Sequence, residues 1–176
     1  MAYLFILIGA VLRVIPHPAN FAAIGAISLF GGTYLNKRYA LILPLAAMIV
    51  SDFFIGFDSV TSRLTVYGSF ALIGLIGLWI RKHKNVFTIV GGSLAGSLIF
   101  YLITNFAFFY PIGMYSHDLG GIIASYTNAI PFFRNTILGD LFYVAIFFGA
   151  YELVKKFEAR KIQRSKIKDQ KIGFNL

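Results

Sequence analysis

The chain has 176 residues, of which 58% are hydrophobic and 13% charged, against about 25% charged in an average soluble domain, and its mean hydropathy is +0.76. So much apolar sequence in repeated long runs excludes an ordinary soluble core and predicts one all-α, polytopic membrane bundle. The net charge is +9 and cysteine is absent, so disulfides and thiolate-bound metals are excluded as well.

The elements follow in chain order. Residues 2–15 form a short first segment, closed by the prolines of Pro16-His17-Pro18, which force an extended turn. With no basic flank before it and no small-residue cleavage site after it, this run reads as a retained helix. Apolar runs over 20–35, 39–57, 65–80, 86–109 and 135–154 predict five more spans. The first two runs are too short for a hydrocarbon core of about 30 Å. They must tilt in a thinned bilayer, or one must be re-entrant and line protein or water. Between the last two spans, residues 116–133 are too polar to cross. Ile122, Ile123, Tyr126 and Ile130 recur there at helical spacing, which predicts a short interfacial helix acting as an outer lid. Residues 1–157 make a single membrane domain, and 158–176 a basic tail, partly disordered, against anionic headgroups.

Basic residues flank spans on the cytoplasmic side. With the N-terminus inside, Lys37, Arg38, Arg81, Lys82, Lys84 and the tail lie inside, and only Arg13, Arg63 and Arg134 lie toward the outside. Six spans then leave both termini cytoplasmic. The polar residues that are rare in such a chain fall at one outer level: Arg13, His17, Asn20, Asp52, Asn105 in the fifth helix, His117, Asp118, Arg134, Asn135 and Asp140. Intramembrane ionisable groups pair or line cavities. This layer therefore predicts either ion pairs, Arg13 or Arg134 with Asp52 or Asp140, or a cavity for a small polar solute. The inner halves of the helices carry no relay of ionisable groups.

Gly92 and Gly96 at GxxxG spacing, and Ala22 with Ala26, predict close helix packing within the chain. No catalytic set is apparent, since Ser93 has no membrane-embedded histidine to serve it. The histidines and acids lack metal-ligand spacing, and no nucleotide-binding loop is present, so neither metal nor cofactor is expected. The basic tail belongs to the lipid surface rather than to nucleic acid.

Over about residues 13–150, through "RVIPHPANFAAIGAISLFGGTYL", "PLAAMIVSDFFIG" and "IPFFRNTILGDLFY", the sequence resembles an uncharacterised family of small bacterial inner-membrane proteins. In architecture these are distantly similar to the substrate-binding S components of energy-coupling factor transporters. The resemblance implies a ligand pocket at the outer side and uptake of a scarce small molecule, with ATPases and a membrane coupling subunit as separate partners. The Ala-xxx-Ala pattern that S components carry in the first helix falls here on Ala22 and Ala26, in the second. A structural or assembly subunit, whose charges only brace the fold, is the competing expectation.

Overall fold

In the computed structural model, which describes residues 1–57 and 59–174, with side chains to Arg164, the chain is all-helical. The α-helices are α1 (Ala2–Val14), α2 (Ile24–Tyr34), α3 (Ile42–Ile55), α4 (Val60–Ile80), α5 (Val86–Thr104) and α6 (Leu119–Phe174), with one 3-10 turn at Ala107–Phe109. Of these, α4, α5 and α6 are long and apolar enough to cross a membrane, and α1, α2 and α3 are shorter apolar helices.

Local chemistry sets the helix ends. Ser59 starts α4 earlier than the apolar run suggests, because its hydroxyl accepts the Ser62 amide at 3.1 Å. Asn85 and Thr88 form a capping box at the start of α5. Gly56, at φ 108, stops α3 in a conformation that favours glycine. Helix α5 ends at Thr104, so Asn105 stands just beyond it and not inside a span reaching 109.

One expectation for the C-terminal region is corrected. Residues 119–133 are helical, but they form no separate lid, running without a break through Pro131 into the last span. The basic tail is likewise helical through Phe174. It is rich in Lys, Arg, Glu, Ala and Gln, all strong helix formers, and its first breaker is Gly173. Residues 175–176 of the expected tail lie outside the described residues. At 56 residues, α6 is about 84 Å long at ~1.5 Å per residue, so it extends well beyond a hydrocarbon core of about 30 Å.

The centre of the bundle is α2, buried from Ile24 to Thr33 and packed against α1, α3, α4, α5 and α6. Phe30 stacks edge-on against Phe148 and Tyr151, with centroids 5.4 and 5.3 Å away. Gly32 of α2 and Gly77 of α4 bring the two backbones together: a Cβ on Gly32 would lie 2.8 Å from Gly77 Cα, and one on Gly77 2.9 Å from Gly32 Cα. Gly92 and Gly96 face Ile80 and Ile73 across the α4–α5 contact, so their spacing serves packing inside the chain. Successive helices run in opposite directions. One end of the bundle therefore carries the C-terminal ends of α1, α3 and α5 with the N-terminal ends of α2 and α4, and the other carries Lys37, Arg38, Arg81, Lys82 and Lys84.

Two glycines of α4 separate crowding from helix propensity. Gly77→Ala should destabilise the protein by about 1–3 kcal/mol through overpacking. Gly68→Ala, where a Cβ meets nothing within 4 Å, should be neutral or stabilise it by up to about 1 kcal/mol. Melting temperatures in detergent compare the two.

Candidate functional site

Two acids of the expected polar layer are buried, and each has a different kind of partner. Asp52, in the last turn of α3, is 5% exposed. It pairs with Arg13 at the end of α1 and accepts the hydroxyl of Tyr67 from α4 on its second oxygen. Arg13 Nη1 also donates to Ser51 Oγ and to the Met48 carbonyl oxygen, the latter at 3.3 Å. One guanidinium thus closes the C-terminal turn of α3 while lying in the last turn of α1, where the helix dipole favours a cation.

Asp140 of α6 is 6% exposed, and among the described residues no cation pairs with it. Its Oδ2 accepts the Ser97 hydroxyl of α5 at 2.6 Å. Its Oδ1 has no hydrogen-bond partner among the described residues and lies against Gly25, where an added Cβ would come within 2.9 Å of Asp140 Cγ. Glycine is what permits this approach. The carboxylate stands at the first turn of α2, which no side chain caps and where the helix carries partial positive charge.

Between these groups lies a cavity of about 380 Å³, within the range of about 300–1,000 Å³ usual for small-molecule sites. Arg13, His17, Asn20, Thr136 and Asp140 supply its polar wall, and Ile24, Ile55, Val66, Phe70 and Phe100 much of its apolar wall. Its cover is the loop between α1 and α2, not the segment 116–133: Ile15, Pro16, His17, Asn20 and Ala22 all line it. That loop is held in place. Asn135 Nδ2 donates to the Ala19 carbonyl oxygen at 3.0 Å, and a Cβ on Gly139 would lie 3.0 Å from the backbone of Phe21. Asn20 takes φ 61, a left-handed conformation that asparagine tolerates. His17 Nδ1 lies 2.9 Å from the Pro18 carbonyl oxygen, which can only accept, so Nδ1 carries the hydrogen.

The remaining candidates divide by position. Asn105 lines a neighbouring cavity of about 290 Å³, which shares Asn20, Val66 and Phe100 with the first and includes Ser59, Ser62 and Thr65. His117 stacks on Phe108 and hydrogen-bonds the Tyr110 carbonyl oxygen at 2.9 Å. Asp118 Oδ1 accepts the Gly121 amide and the Ser116 hydroxyl, both at 2.8 Å, and so caps the start of α6. The Gly121 amide foremost, then the Ser116 hydroxyl, hold the Asp118 carboxyl below the ordinary carboxylate range. The cap is therefore in place at neutral pH and is lost as pH falls through that lowered value. Arg134 is exposed and lines neither cavity.

Sequence reasoning missed Ser97, Tyr67, Gly25 and Thr136. Ser97 alone carries a legible signal, since it adjoins Gly96 in the small-residue run that faces the bundle. No group of three His, Asp or Glu side chains among the described residues is placed to hold a metal ion.

An all-helical, membrane-compatible bundle with a polar cavity at one end defines the class of protein. Residues 1–163 match the model of a family of unknown function (DUF6580), and the chain belongs to that family. No curated protein and no solved structure matches it.

The Arg13–Asp52 pair sets a stability test. Removing either charge alone, as Arg13→Met or Asp52→Leu, should cost about 3–5 kcal/mol, because the other stays buried without its partner. The double variant should recover most of that loss, and thermal melts of the three variants measure it.

Proposed function

We propose that the protein spans a membrane six times with both termini cytoplasmic and binds a small polar solute from the outer side. In this proposal it serves as the substrate-binding subunit of an uptake system similar to the S components of energy-coupling factor transporters. The observation that carries the reading is the 380 Å³ cavity with a buried carboxylate on its wall, one oxygen of which has no protein hydrogen bond among the described residues. A fold braced only for its own stability has no use for a carboxylate oxygen left without a partner on a cavity wall.

The side follows from charge. Lys37, Arg38, Arg81, Lys82 and Lys84 gather at the end opposite the cavity, and the preference of basic loops for the cytoplasm turns the cavity outward. Energy for transport comes from a coupling subunit with its own ATPases, because the chain carries no nucleotide-binding loop. Docking through small residues of α1 is disfavoured, since Gly9 is turned inward against Ile27 and the outer face of α1 is bulky, with Tyr3, Leu4, Leu7, Ile8 and Val11.

Thermal melts of the purified protein against amines, amino acids, vitamins and sugars test binding, because a ligand of the folded form alone raises stability by RT ln(1 + [L]/Kd). At least one class should raise the melting temperature in a saturable way. If none does, the Arg13–Asp52 pair is better taken as the brace of a structural subunit. Single cysteines introduced at 59–63 or 112–118 should react with an impermeant maleimide on intact cells, and those at 82–85 or 160–164 only after permeabilisation. Labelling of the second set on intact cells would reverse the orientation.

A further inference from the structure

The groups on the cavity wall restrict the class of solute, an inference that rests on the cavity being a solute site. Asp140 is more than nine-tenths buried and lines the cavity, its Oδ1 has no hydrogen-bond partner among the described residues, and what it meets from the protein is one hydroxyl and the uncapped first turn of α2. These offset part of a carboxylate charge and leave the rest uncompensated. Arg13 is the cation nearest to hand on the same wall, but its charge is already matched by Asp52. It contributes hydrogen-bond donors to the cavity and no net positive charge. His17 also lines the cavity, with its Nδ1 turned to the Pro18 carbonyl oxygen.

Much of the remaining lining is apolar. Phe70 and Phe100 stack with centroids 5.0 Å apart and an interplanar angle of 30°, and both line the cavity with Val66 and Ile55. Such a surface rewards burial of an apolar body. We infer that the cavity takes an amine-headed amphiphile, with a cationic nitrogen on Asp140 Oδ1 and an apolar, ring-sized body against Val66, Phe70 and Phe100. A carboxylate head is rejected because it would face Asp140 with like charge. A neutral head of the same shape gains the apolar contact and lacks the charge-assisted hydrogen bond.

Three probes of one shape test this: 3-phenylpropylamine, 3-phenylpropanol and 3-phenylpropionate, each titrated against the melting temperature of the purified wild-type protein. The amine should half-saturate at a concentration at least about tenfold below the alcohol, the scale of one charge-assisted hydrogen bond, and the acid should be weaker still. In Asp140→Asn that advantage should shrink to near unity. The wild-type series decides even where this variant folds poorly. Equal effects of amine and alcohol, or an acid as good as the amine, would overturn the inference while leaving a solute site in place. If nothing in the wider solute panel stabilises the protein either, the solute reading falls and takes this inference with it.

Discussion

The fold depends on burying a helix too short to cross a membrane. Helix α2 has 11 residues, about 16 Å at ~1.5 Å per residue, and each end leaves backbone groups that hydrocarbon cannot satisfy. Surrounding α2 with the other five helices buries it inside the bundle, so its length need not match a bilayer. At its C-terminal end Arg81 reaches back from the end of α4 and donates to the carbonyl oxygens of Gly32, Thr33 and Leu35, the first at 2.7 Å and the second at 3.2 Å. A cation is thereby placed where the helix dipole calls for one.

The other end of α2 is treated differently, and the site arises from that difference. No side chain caps its first turn, the chain leading into it folds over as the cover of the cavity, and Asp140 approaches across Gly25. A short central helix thus separates a closed, charge-matched end from an open one. The close approach of Gly32 and Gly77 serves the same geometry by letting α4 run alongside α2 and deliver Arg81 to one end and Tyr67 toward the other. The Arg13–Asp52 pair then fixes where α1 and α3 end, and so where the cavity wall stands.

Two like residues in the same layer serve different purposes for reasons of position. Asp52 stands in the last turn of α3 and Asp140 well inside α6. The first lies beside the C-terminal turn of α1, where an arginine is already stabilised, and it becomes half of an ion pair. The second lies beside an N-terminal turn, where partial positive charge helps to hold a carboxylate without a formal cation, and it keeps one oxygen free. Asn135 was legible as a polar residue of the layer, but its work is to hold the covering loop through the Ala19 carbonyl oxygen rather than to line the cavity.

The sequence by itself determined the helical class, the apolar runs, the polarity of the two ends and the polar layer from which the site is drawn. All of these follow from composition and from charge placed along single segments. Arg13, His17, Asn20 and Asp140 were legible as cavity residues for that reason, and Asp52 as an ionic partner. Only the tertiary structure decided that Arg13 belongs to Asp52, that Arg134 stands apart, that Ser97 and Tyr67 complete the two carboxylates, and that the α1–α2 loop is the cover where residues 116–133 had been expected. These depend on which helix faces which, and that is set by the close approach of glycine faces and by the rotation of each helix about its axis. Neither quantity is local in sequence. Hydrophobic periodicity cannot supply them for helices that are apolar on every side.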